Sequence, residues 1–363
     1  MDENNSESKT SILELDDFDE ENKKIFPHHT GFPKDLFNHS NNFFNAAFHC
    51  LTNIYDLTSQ IKDLKEEKYP YIFPYIKLLN KIIVMNVEEK EEQKEEQKEE
   101  QKEKQKEKLK YCLKNLKQYI IPIIDIENEK DGNDDPKKLI LLLLQDLHDN
   151  NILPEFMMTK YEKVCTICNI VSELDFLDVI NISKMYFNFD IPKILEYTHE
   201  QKIEVFSIYD CFQYYFDSIM KIEKSLECIQ CHKETKQKIR INKLPDILFI
   251  FINYNEKDKN CYFDNSAYKF DENINFKKYN FLSEDDRKKK YFLYSIIACK
   301  NIGTDFELYY TFSRKDENSK YIIYNGSDIR EGLNIKNKME KDKIDLRDKK
   351  QSWPCVLVYK RIQ

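Results

Sequence analysis

Four cysteines carry the clearest chemistry in this chain. Val164-Cys-Thr-Ile-Cys168 and Glu227-Cys-Ile-Gln-Cys231 are two Cys-x-x-Cys pairs, each able to offer two thiolates to one ion. Four sulfurs suit tetrahedral Zn²⁺, so Cys165, Cys168, Cys228 and Cys231 are the expected ligands of a structural zinc. The gap between the pairs exceeds that of a compact zinc ribbon. They can meet only if the intervening elements return the chain to its start. His232 adjoins the second pair but reads as a bystander, because four cysteines already close a structural site. Ten cysteines behind an N-terminus without the basic and apolar regions of a signal peptide fit metal ligation plus buried thiols better than a disulfide framework.

The second chemical signal is an absence. From Phe43 the residues Phe43, Phe44, Ala47, Phe48, Leu51, Ile54 and Tyr55 recur at helical spacing, which sets the polar stretch Asn38 to Asn42 at a helix N-terminus. A cysteine at such a spot would gain acidity from unsatisfied amide N–H groups and the positive end of the helix dipole. None is there. Cys50 and Cys299, the thiols nearest in sequence, lie within apolar helix and strand patterns and read as buried and structural. His39 and His49 read as a loop histidine and a helix-surface histidine; a relocated Cys50–His39 couple is the competing reading.

These residues sit in an ordered series of motifs. Asp35-Leu-Phe-Asn-His-Ser-Asn-Asn-Phe-Phe-Asn-Ala-Ala-Phe-His-Cys-Leu51 resembles the nucleophile box of the ubiquitin-specific proteases, papain-like cysteine peptidases that cleave ubiquitin from lysines. Aligned backward from Leu51, Asn42 takes the cysteine position and Asn45 matches a family asparagine; aligned forward from Leu36, the cysteine falls in a deletion. Asp135-Pro-Lys-Lys-Leu139 is similar to the family's Gln-Asp helix, and Lys236-Gln-Lys-Ile-Arg-Ile-Asn-Lys-Leu-Pro-Asp-Ile-Leu248 to its Leu-Pro strand. Tyr291-Phe-Leu-Tyr-Ser-Ile-Ile-Ala298, Gly303-Thr-Asp-Phe-Glu-Leu-Tyr309, Tyr321-Ile-Ile-Tyr-Asn-Gly-Ser-Asp-Ile329 and Cys355-Val-Leu-Val-Tyr-Lys-Arg361 continue the match in order. The resemblance puts Asp305 at the catalytic histidine and Asn325 at the third triad position, and it places the two cysteine pairs at the tip of a fingers subdomain. A carboxylate cannot replace the imidazole: its pKa of about 4 makes it a poor acceptor of a thiol proton, and its charge opposes a thiolate. No histidine follows His232, so no shift of alignment restores the base.

The elements that must position these residues read as helices first and strands later, an α+β fold. The resemblance implies a helical thumb, a β-rich palm and zinc-bearing fingers. Residues 1–30 read as a disordered acidic tail and 31–363 as one domain: thumb 31–150, fingers and the start of the palm 151–260, and palm 261–363. The Lys-Glu-Glu-Gln repeat in 88–108 has no apolar face and reads as a surface insertion. A helix is expected over Tyr209 to Leu226, and strands over Ile247 to Tyr254, Tyr291 to Cys299, Phe306 to Phe312, Tyr321 to Tyr324 and Val356 to Lys360. The aromatics Tyr254, Tyr268, Phe270, Phe281, Tyr309 and Tyr310 read as core more than as a channel lining.

A net charge of −8 argues against a nucleic-acid partner, and no apolar run is long enough to span a bilayer. The expectation is an intracellular protein that binds ubiquitin, a ubiquitinated protein or a complex partner without cleaving. An active deubiquitinase with a rearranged site, and a scaffold subunit that binds no ubiquitin, are the alternatives.

Overall fold

The computed structural model describes residues 42–54, 56–58, 104, 107, 111, 135–153, 155–173, 185–200, 205–220, 224–228, 230–254, 267–269, 271–279, 282–300, 308–314, 316–325, 328–333, 344–345 and 352–362. The 1–30 tail, most of 88–108, His39, Phe270, Phe281 and Asp305 lie outside this set.

Two helices of the thumb are described along their length. Helix α1 (Asn42–Thr52) buries nearly all of its length, as its closely spaced Phe, Ala and Leu residues require. Helix α2 (Pro136–Asp149) opens on a proline whose missing N–H costs nothing in the first turn, and the side chain of its N-cap Asp135 accepts from Lys137 N at 2.9 Å. Its Leu139, Ile140, Leu143, Leu144 and Leu147 make one buried stripe.

The fingers are a four-stranded sheet in the order β2-β1-β6-β5, built from β1 (Lys160–Cys165), β2 (Val171–Glu173), β5 (Lys224–Glu227) and β6 (Glu234–Lys243). Between β2 and β5 the chain makes β3 (Tyr186–Asp190), α3 (Ile191–Glu200), β4 (Val205–Ser207) and α4 (Ile208–Met220). The expected helix to Leu226 therefore ends earlier. Lys224 to Glu227 instead pair antiparallel with β6, an interaction that local periodicity cannot reveal.

The palm is an eight-stranded sheet in the order β13-β12-β11-β10-β15-β7-β3, with β9 beside β10. Its strands are β7 (Ile247–Asn253), β9 (Asn273–Asn275), β10 (Lys290–Lys300), β11 (Leu308–Ser313), β12 (Tyr321–Asn325), β13 (Asp328–Leu333) and β15 (Ser352–Arg361), together with β3. A three-stranded sheet joins β4 to β8 (Ala267–Lys269) and β14 (Ile344–Asp345), and a short helix α5 (Glu284–Lys288) precedes β10.

Strand β7 is apolar on both faces because the palm is covered on both. Ile247, Phe249 and Phe251 join the thumb-side core with α1 and α2, while Leu248, Ile250 and Ile252 join the opposite core with α3 and α4. In β10 the two apolar sets would fall out of step without a bulge. The register shift against β15 between Leu293 and Ser295 puts Phe292, Tyr294, Ile297 and Cys299 on the thumb side and Tyr291, Leu293, Ile296 and Ala298 on the other. Strand β15 starts at Ser352, earlier than expected, and runs through Pro354 beside a second register shift, where a missing ladder N–H is tolerated.

Candidate thumb–palm site and cysteine knuckles

Helix α1 lies across strands β10 to β12 and fixes where the expected catalytic positions fall. Thr311 Oγ1 donates to Ala46 O at 2.8 Å, the His49 ring stacks on Tyr324 at 4.5 Å between centroids, and the Tyr294 hydroxyl donates to Asn53 O. Because Thr311 pairs with Ile297, the helix runs back along β10 from its N-terminus to its C-terminus. The helix therefore begins, at Asn42, toward the end of β10 at Lys300. The β10–β11 connection, which carries Asp305, leaves from that same end. Strand β12 finishes there too, at Asn325, one residue beyond the Tyr324–Thr311 pair. The backbone thus gathers α1's start and β12's end at one edge of the palm; Asp305 lies outside the described residues.

The thiols near this edge face inward. Cys50 is fully buried, and desolvation, offset in part by a bond with Ser295, pushes its pKa from 9.0 up to about 12. Burial likewise raises the Cys355 thiol, whose Sγ donates to Ile297 O at 3.3 Å. Cys299 is buried as its sequence pattern indicated. His49 corrects the expectation of a surface histidine: it is 1 % exposed, covered by Tyr324, a strand far along the chain. Asn45, one turn into α1, is also buried, and neither atom of its amide finds a hydrogen-bond partner among the described residues. Tyr309 and Tyr254 pack into the two cores, Tyr254 also donating to Pro354 O at 2.8 Å, and Tyr310 packs beside them. The side chains of Tyr268, Asn42 and Asn325 are not among those described.

At the far end of the fingers the four knuckle cysteines come together. Their sulfurs all lie within 4.8 Å of one another, with Cys165 and Cys231 at 3.9 Å and Cys168 and Cys228 at 3.5 Å. Four sulfurs about 2.3 Å from one zinc ion stand about 3.8 Å apart, so the cluster has the size of a zinc tetrahedron. Its two halves are built alike. Asn169 N–H donates to Cys165 O and His232 N–H to Cys228 O, while Cys165 N–H donates to Ile170 O and Cys228 N–H to Lys233 O. The residue after each pair takes a left-handed backbone, Asn169 at φ 57° and His232 at φ 51°, which wraps the chain around the sulfurs. Ile167 N donates to Cys165 Sγ at 3.4 Å, and the amides of Cys231 and Gln230 hold the Cys228 thiol below its ordinary pKa. These residues fit Zn²⁺. His232 is exposed and outside the four-sulfur cluster.

No family model and no curated protein matches this sequence. Solved structures do match its fold. A structure of the SAGA DUB module Ubp8/Sgf11/Sus1/Sgf73 bound to monoubiquitin aligns over 96 % of this chain and 74 % of the matched one, at TM-score 0.54 and 14 % identity. A second structure of the Ubp8/Sgf11/Sus1/Sgf73 module aligns over 89 % and 67 %, at TM-score 0.53 and 16 % identity. The chain has the ubiquitin-specific-protease fold. Thumb, palm and fingers are the parts described above, and the four-cysteine cluster stands at the fingers' tip.

Proposed function

We propose that this protein is a pseudo-deubiquitinase: it uses the ubiquitin-specific-protease fold to bind ubiquitin, or a ubiquitinated or complex partner, without cleaving it. The observation that carries this reading is the position of α1. Its N-terminal residue reaches the edge of the palm where the resemblance expects a thiolate, and that residue is Asn42, while the nearest thiol on the helix, Cys50, is turned into the core. A fully buried thiol with a pKa near 12 is neither ionised nor reachable near neutral pH. Asp305 and Asn325 then mark the sites of a lost base and of its orienting partner. Loss of a nucleophile alone costs many orders of magnitude in rate.

The structural zinc belongs to the same reading, held by Cys165, Cys168, Cys228 and Cys231 as a brace for the fingers. Partner binding draws support from the matched structure, a multi-protein module bound to monoubiquitin. Among the described residues no helix is long and apolar enough to cross a membrane. We place the protein inside the cell on the strength of its cysteine usage.

A fluorogenic ubiquitin substrate tests the absence of chemistry. The expected result is no turnover above buffer; turnover abolished by a thiol alkylator would overturn the proposal. Titration with monoubiquitin tests the binding arm. Saturable binding supports it, and none at millimolar ubiquitin, together with stable co-purification in an assembly, turns the reading toward a scaffold subunit.

A further inference from the structure

A group of polar contacts joins α2 to the palm at the end of the sheet where α1 begins. Lys137, in the first turn of α2, sends its ammonium across to the end of β7, donating to Asn253 Oδ1 at 2.7 Å and to Ile252 O at 3.2 Å. Asp135, the N-cap of the same helix, holds the ammonium from behind at 3.3 Å. Asn253 passes the contact on, its Nδ2 donating to Asn188 Oδ1 of β3 at 2.8 Å. Helix α2, strand β7 and strand β3 are thus joined by one chain of polar groups.

Its position gives this chain its meaning. On the thumb-facing side of the palm, β7 and β3 present Phe249, Phe251 and Tyr186, the last tilted against Phe251 at 4.8 Å between ring centroids, and then turn polar at Asn253 and Asn188. Below this rim the apolar stripe of α2 and the thumb-side residues of β7 belong to one apolar core; at the rim Lys137 bridges them with polar bonds. The Lys137 side chain is only 16 % exposed, so its bonds are partly shielded from water and stronger than a surface ion pair. Beneath it lies Cys355, which is 5 % exposed and near enough to feel the charges of Lys137 and Asp135.

We infer that Lys137 is a latch that holds α2 against β7 and β3 and shields Cys355 at the end of the palm sheet where α1 begins and β12 ends. The latch stands whether or not ubiquitin is the ligand, because it rests on contacts within this chain.

Thiol alkylation of the zinc-loaded, full-length protein under native conditions reads the latch directly. Modification is followed at Cys355 by peptide mass spectrometry, with Cys211, buried in the opposite core, as an internal control for global unfolding. In the wild type both thiols are protected. Lys137→Met is expected to speed labelling of Cys355 at least tenfold while Cys211 stays protected, Asn253→Ala to do the same, and Lys137→Arg to keep the protection. Equal Cys355 labelling in wild type and both disrupting variants overturns the latch. So does labelling of Cys211 in parallel with Cys355, which would make the lysine a prop of the whole fold.

Discussion

At the scale of the residue, the thumb shows how one side chain's surroundings set its chemistry. Cys50 lies on the same helix as Asn42, the residue proposed to stand at the nucleophile position, yet burial removes from Cys50 every property that would make a thiol reactive. That burial also has a pH signature. A thiol whose folded pKa stands near 12 against an ordinary 9.0 favours the folded state below pH 9, and the favour is lost as pH rises from 9 toward 12, since only the unfolded chain can then release the proton. The slope approaches about 1.4 kcal/mol per pH unit for one such group. Urea unfolding at pH 7, 9 and 10 should show the wild type losing more stability over this range than Cys50→Ala, although the variant starts lower because of its cavity. Parallel pH profiles would refute the assignment. The burial of Cys50 was legible from its place in an apolar helical pattern. The burial of His49 was not: what covers it is Tyr324, and a stacking partner on a distant strand leaves no trace in local spacing.

At the scale of the element, strands with unbroken apolar runs were the most legible. Ile247 to Asn253 and Lys290 to Lys300 are covered on both faces, so their sequences permit little else. The end of α4 was not legible, because the strand that follows it is stabilised by pairing with β6 on the far side of the second knuckle. The joint between fingers and palm was hidden for a similar reason. Asp286, 2 % exposed, accepts from Leu244 N at 3.1 Å and from Ser283 Oγ at 2.8 Å, and meets Lys289 Nζ at 2.7 Å. Lys289 in turn donates to Leu244 O at 2.7 Å, and the Tyr291 hydroxyl to Pro245 O at 2.8 Å. The turn from β6 to β7 is therefore held by a buried ion pair that short-range patterning reads as a charged surface run. Breaking such a pair from one side leaves a buried charge and an orphaned amide. Asp286→Ala should cost about 3–5 kcal/mol in denaturant unfolding. The double change Asp286→Leu with Lys289→Met should recover much of that loss. A single-variant cost below about 1 kcal/mol, the range of a surface pair, would show that the pair is not buried in solution.

At the scale of the whole molecule, the order of motifs made the fold legible although each motif alone is eroded, because a papain-like thumb, palm and fingers need their pieces in one sequence. The coincidence of the four cysteines was legible as chemistry, but only the antiparallel pairing of β1 with β6 explains how two distant knuckles come together. This architecture separates the fingers from the palm energetically. Strands β7, β10 and β15 lie between two apolar clusters, whereas the fingers sheet is anchored to those clusters mainly through Tyr161 and Ile241 at its root. With zinc held by the four cysteines, as proposed, the distal sheet would depend on the metal for its closure, and a metal absent from the unfolded state contributes its binding free energy to folding. Removing zinc with a chelator should therefore raise amide exchange throughout β1, β2, β5 and β6 toward the knuckles while β7, β10 and β15 keep their protection. Cys165→Ser should reduce zinc content from about one ion per chain to near none and reproduce the same exchange pattern. If the palm strands lose protection together with the fingers, the two subdomains form a single cooperative unit, and the metal braces the whole fold.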